Sequence, residues 1–144
     1  MAASAWQIYN RAKKKLGNGT IQLGVNVLKC QLHTSASIAS TFTLSTAASC
    51  GSEVASGNGY TTGGKSLLSV LWSVGASAKQ YMLDCADPVW TATGGTIPNI
   101  KFAVIKNSAG HALCWSRLTT AQFTLTQNNT LTIQMAATGV FVLS

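Results

Sequence analysis

In the second half of the chain, apolar residues recur at every second position, in short runs separated by Gly, Asn and Ser. Such alternation is typical of half-buried β-strands, and the intervening residues are typical of turns. The strand-like runs span residues 66–74, 79–86, 88–92, 100–107, 111–118, 122–126, 129–136 and 139–144. Short strands at this spacing predict an all-β fold, an antiparallel β-sandwich or jelly roll, as a single domain over residues 1–144.

The clearest hairpin joins residues 100–107 to residues 111–118 through the turn 108–110. The first of these strands, IKFAVIKN, is apolar on both faces. A strand that is apolar on both faces has to be covered on both sides. We therefore expect this pair of strands to lie centrally, between two layers.

The N-terminal segment 1–17 has a helical period instead. In SAWQIYNRAKKKLG, residues 4–17, apolar side chains recur at spacings of three and four. This spacing predicts one short amphipathic helix that Ser4 caps. Lys13, Lys14 and Lys15 then fall in the last turn, where the helix dipole favours cations.

Two stretches between the helix and the later strands are less regular. Residues 20–33 alternate but change phase near Gly24, which predicts two short strands or one broken strand. Residues 34–66 are rich in Gly, Ser and Thr and predict a long loop region. Loops of this length in a compact domain are usually functional or contact another subunit.

Charge is scarce and mostly positive. Charged residues make up 9% of the chain, against about 25% in a typical soluble domain, and the net charge is +7. Outside the N-terminal cluster the basic residues are scattered singly and do not interleave with aromatics, which disfavours a nucleic-acid partner. The composition favours a subunit that docks on an acidic protein surface.

Residues 59–66, GYTTGGKS, match the nucleotide-binding pattern G-x-x-x-x-G-K-[ST]. In a phosphate-binding loop this pattern follows a buried strand and opens a helix. The preceding residues 49–58 are small and polar, and residues 66–74 alternate like a strand. The context favours a connecting loop over a nucleotide site.

The remaining chemistry-bearing residues do not form a recognisable site. Cys30, Cys50, Cys85 and Cys114 have no C-x-x-C spacing, which predicts buried reduced thiols and neither a metal site nor a cofactor. Asp84 and Asp87 would point to opposite faces of a strand, so they predict no catalytic pair. We expect a protein that is not an enzyme. No apolar run approaches the roughly eighteen residues of a membrane span, so no membrane partner is expected either.

Three motifs resemble a family of small virion proteins of tailed bacteriophages. They are SEVASGNGYTTGGKSL at 52–67, PVWTATGGTI at 88–97 and IKFAVIKNSAG at 100–110. The termini, residues 9–23 and 130–143, also look like those of the family. The resemblance implies a capsid cement or decoration protein that sits on the shell and braces neighbouring major capsid subunits.

The resemblance implies a location on the capsid surface of the virion after synthesis in the host cytoplasm. The expected partners are the major capsid protein and further copies of this chain, as a trimer at local three-fold positions. The alternative is a tail or fibre-associated receptor-binding protein that uses aromatic and Asn/Thr-rich loops. The predicted contact residues are Trp6, Tyr9, Arg11, Lys13, Lys14, Lys15, Glu53, Tyr60 and Lys65.

Overall fold

The computed structural model describes residues 4–143, and strands dominate its regular structure. The prediction of an all-β, sandwich-like fold with antiparallel sheets and a short N-terminal helix is confirmed. The strands are β1 Gln7–Ile8, β2 Leu28–Thr34, β3 Lys65–Ser66, β4 Leu71–Val74, β5 Tyr81–Asp84, β6 Val89–Thr91, β7 Ile97–Asn107, β8 Ala112–Arg117, β9 Phe123–Leu125, β10 Thr130–Thr132 and β11 Phe141–Leu143. The helices are α1 Asn10–Gly17 and α2 Ala47–Cys50.

The largest sheet is built around β7. Its strand order is β1-β8-β7-β2-β3, and β9 pairs with the first part of β7. The predicted hairpin is confirmed as β7 and β8, with Ile105 opposite Cys114 and a register shift after Ile105. On its other side β7 pairs with β2, where Ile105 faces Cys30. The central position of β7 explains why both of its faces are apolar.

Two smaller sheets complete the fold. One has the order β11-β5-β4 and places Trp72, Leu83 and Phe141 side by side across its three strands. The other pairs β10 with β6, with Leu131 opposite Trp90. Buried side chains from all three sheets belong to one hydrophobic core, which removes them from water together.

The N-terminal helix is shorter than predicted, because it begins at Asn10 and residues before it are extended. β1 pairs with the edge of β8, whose backbone groups would otherwise lack partners. Ser4 is not a helix cap, since its hydroxyl bonds the Ser116 hydroxyl at 3.1 Å. Tyr9 instead ends the extended stretch, where its buried hydroxyl donates to the Ala39 carbonyl at 2.5 Å.

The predicted strand over residues 20–33 forms only from Leu28 onward. Residues before it form turns, in which the Val25 and Asn26 amides donate to the Gln22 carbonyl at 3.2 and 2.9 Å. Gly24 takes a φ of +82°, which a strand cannot contain. Val25 is therefore 75% exposed despite its place in an alternating run.

Candidate docking surface

The predicted contact residues lie at opposite edges of the largest sheet. Residues 6–15 lie in or directly beside β1 and α1, whereas Lys65 belongs to β3 at the other end of the strand order. Four strand spacings separate these edges, which is about 19 Å. The nine residues therefore do not form one site.

The group near β3 is an internal network. Glu53 Oε1 accepts hydrogen bonds from the Tyr60 hydroxyl and from the Gly63 amide, both at 2.7 Å. The Tyr60 hydroxyl in turn accepts from the Leu32 amide of β2 at 3.0 Å. Tyr60 is 2% exposed, so its prediction as a contact residue is corrected. Glu53 and Tyr60 hold the long loop against the sheet.

The same network explains why the pattern at residues 59–66 is not built as a nucleotide-binding loop. The Gly63 amide, a phosphate donor in a true loop of this kind, is bonded to the Glu53 carboxylate. Lys65 donates to the Val89 carbonyl and lies 5.9 Å from the centre of the Trp90 ring. No helix begins at Lys65, which lies in β3. Residues 59–66 form a connecting loop, and the Glu53 carboxylate already accepts from its Gly63 amide.

The group near β1 divides into buried and exposed members. Tyr9 is 0% exposed and is likewise corrected as a contact residue. Lys15 turns inward, where its ammonium lies 2.9 Å from the Ser45 carbonyl and 2.7 Å from His111 Nδ1. Burial and the charge of Arg11 lower the pKa of Lys15.

Three cations remain on the solvent side of α1: Arg11, Lys13 and Lys14. The Arg11 Nε donates to the Thr43 carbonyl at 3.1 Å, which joins this side chain to the loop that contains Thr43. Together they give α1 an exposed basic face.

The acidic side chains do not neutralise this basic face. Besides Glu53, Asp84 accepts from the Cys85 amide at 2.9 Å and Asp87 from the Met135 amide at 2.8 Å. These donors are neutral, so the carboxylates bond to the backbone of the chain and not to the cations of α1. The positive charge of α1 is left available to a partner.

An apolar groove of about 530 Å³ runs beside the basic face. Leu16, Leu23, Trp72 and Leu143 line it, and Lys13 stands at its rim. Trp72 also packs on Tyr81, with 5.5 Å between ring centres, and Tyr81 is 46% exposed. We call the groove and the basic face of α1 the docking surface. The groove is not visible in the sequence because its residues come from three separate stretches of the chain.

The four cysteines are free and buried, as predicted, and burial raises the pKa of Cys85 to about 12. Among residues 4–143, no three His, Cys, Asp or Glu side chains are grouped closely enough to hold a metal ion. Nor does that part of the chain contain a helix with the length and apolarity to cross a bilayer.

Comparison with protein-family models, with curated proteins and with solved structures finds no match for this chain. The docking surface is therefore assigned from its own chemistry.

Proposed function

We propose that the chain is a bacteriophage capsid cement or decoration protein that binds the outer surface of the major capsid protein shell and stabilises it. The observation that carries the proposal is the docking surface, an unneutralised basic helix face beside an apolar groove. The motifs at 52–67, 88–97 and 100–110 support it through their resemblance to small virion proteins. The expected partner surface is acidic and carries apolar side chains.

The proposed role needs binding and no reaction. A protein that binds the assembled shell, and not its separated subunits, stabilises the shell by mass action. Many copies that each contact neighbouring subunits, alone or as trimers, also gain from a high effective concentration. The low charge of the chain suits such packing, since few ions lose their water on contact.

Co-sedimentation with shells assembled from the major capsid protein of a tailed phage that encodes this chain tests the proposal. Lys14→Glu reverses an exposed charge on the docking surface and should weaken binding about tenfold, and added salt should weaken wild-type binding. Arg117→Glu makes the same charge change at the far end of β8. Arg117 lies about 13 Å along the strand from Leu113, the residue of β8 that lies beside Tyr9. The Arg117→Glu variant should therefore bind the shell normally. Equal binding by both variants would contradict the proposal.

The alternative, a tail or fibre-associated receptor-binding protein, has weaker support. Trp90, one of the aromatic residues considered for a glycan-binding face, is 3% exposed and packs against Tyr60. Copy number in purified virions separates the two roles. Cement requires hundreds of copies per particle, whereas a tail component requires a few to dozens.

A further inference from the structure

Within residues 4–143, the two larger sheets each end in a strand with one unpaired edge, and a cleft of about 630 Å³ lies between these strands. Among the described strands, β1 is the last strand of the largest sheet and pairs only with β8. In the same part of the chain, β11 is the last strand of the three-stranded sheet and pairs only with β5. The cleft is lined on one side by residues 4–8 and on the other by residues 138–142.

The lining indicates that strand edges, and not sheet faces, border this cleft. Side chains on one face of a strand belong to every second residue. Here five consecutive residues from each segment line the cleft, so the backbone itself runs along it. We call this feature the edge cleft.

The register of β1 assigns the backbone groups that face the edge cleft. The Tyr9 amide donates to the Leu113 carbonyl at 3.1 Å, and Gln7 lies opposite Trp115 in the same register. Antiparallel strands alternate between residues that bond the partner and residues that point away from it. The backbone N–H and C=O groups of Trp6 and Ile8 therefore point away from β8.

Side chains at the edge cleft also favour an added partner. Trp6 lines the cleft with a half-buried ring. Lys13 stands at the cleft and supplies positive charge, and Phe42 and Phe141 supply apolar surface.

We propose that the edge cleft binds one extended, acidic segment of a partner protein, which adds a strand to β1. Strand addition uses main-chain hydrogen bonds for affinity and side-chain pockets for specificity. Lys13 and the net charge of +7 favour an acidic segment and disfavour a second copy of this chain, since two copies repel each other. We take the partner to be the major capsid protein, and only this identification of the partner rests on the proposed function.

A library of random nine-residue peptides displayed on yeast is the probe, with the full chain as the labelled ligand. We expect enriched peptides to alternate apolar and polar positions and to carry Asp or Glu. Methylation of alternate backbone nitrogens in a selected peptide should abolish binding. In NMR hydrogen exchange, the bound peptide should slow the Trp6 and Ile8 amides and leave the Gln7 amide unchanged, since it already faces β8.

Two neighbouring substitutions provide a matched pair. Ala136 lines the edge cleft whereas Ala137 does not, and both are exposed. Ala136→Trp should weaken binding of the selected peptide about tenfold or more, and Ala137→Trp should leave this binding unchanged. Lys13→Glu should weaken the binding of acidic peptides. No enrichment, enrichment of basic or helical patterns, or full binding by the methylated peptide would each overturn the proposal.

Shell co-sedimentation separates this proposal from the proposed function. Strand addition by a capsid segment requires Ala136→Trp to weaken shell binding as well. If the selected peptide is blocked but shell binding is unchanged, the edge cleft serves another acidic partner and the capsid segment is excluded. If the wild-type chain binds no shell, the proposed function fails while the peptide result still stands.

Discussion

The hydroxyl of Tyr60 lies 2.7 Å from the carboxylate of Glu53, in the middle of the longest irregular stretch of the chain. The same hydroxyl accepts from the Leu32 amide at 3.0 Å and so joins the loop to β2. One oxygen atom thus connects a loop carboxylate with the central sheet. Loops of this length are usually mobile, and this link helps to fix the loop in place, together with backbone bonds such as that from the Val54 amide to the Leu32 carbonyl at 3.0 Å.

Removing that oxygen should destabilise the fold. Tyr60→Phe leaves the buried Leu32 amide without its acceptor and leaves the Glu53 Oε1 atom with the Gly63 amide as its one remaining donor of the two. We expect the free energy of unfolding to fall by about 1–3 kcal/mol in urea denaturation. Tyr81→Phe removes a hydroxyl from a half-exposed ring and should change it by less than about 0.5 kcal/mol. Equal losses in the two variants would contradict a structural role for the Tyr60 hydroxyl.

Alanine substitutions at two adjacent glycines distinguish the cost of backbone strain from the cost of a steric clash. Gly63 and Gly64 have φ values of +97° and +83°, so alanine is strained at either position. A Cβ on Gly63 would meet no atom within 4 Å, whereas one on Gly64 would collide with the Cys30 carbonyl of β2. Gly64→Ala should therefore lower the free energy of unfolding by at least about 1 kcal/mol more than Gly63→Ala. Thermal or urea unfolding of the two variants measures the difference, and equal losses would mean that β3 is free to move away from β2.

The loop at residues 59–66 should bind no nucleotide. The Gly63 amide already bonds Glu53, and a phosphate placed there would meet the carboxylate charge. Titration with a fluorescent ATP analogue and magnesium should give no saturable signal up to millimolar concentration. Saturable binding that ATP displaces and that Lys65→Ala removes would contradict this prediction.

Stability should depend on pH through His33. The ring is 1% exposed, with Nδ1 2.9 Å from the Gly51 carbonyl and Nε2 3.2 Å from Gln31 Oε1. Burial lowers the pKa of His33 below 6.5, and the Lys106 charge adds to this, although the Gly51 bond and Glu53 oppose it.

Proton linkage gives the direction in which the free energy of unfolding changes with pH. Below pH 6.5 the unfolded chain binds a proton on this residue before the folded chain does. The free energy of unfolding should therefore fall as pH drops through 6.5, by no more than about 1.4 kcal/mol per pH unit, and level off below the folded pKa. Urea denaturation at several pH values measures the slope. His33→Gln should remove the contribution of His33 to this slope. A slope that is unchanged in the variant would assign the pH dependence to other groups.

Local patterns in the sequence predicted the strands and missed most of the site. The β7–β8 hairpin was predictable because a short turn joins two apolar runs. The extended residues before Asn10 were not, since their partner β8 lies about a hundred positions later in the chain, as the pairing of Gln7 with Trp115 illustrates. Spacings of three and four there matched a helix, but the open edge of β8 decided the structure. The groove was beyond prediction for the same reason, because Leu23, Trp72 and Leu143 meet only in the folded chain.

The pairing of β2 with β7 also sets when the protein can fold during translation. Leu28 pairs with Asn107, so the ribosome must add 107 − 28 = 79 residues before this ladder can close. At translation rates of about 5–20 residues per second this takes about 4–16 s. Throughout that interval the Leu28, Cys30 and Leu32 side chains of β2 lack β7, in a nascent chain with few charges to keep it soluble. Shortened chains that stop before residue 97 never gain β7, and aggregation is their expected fate.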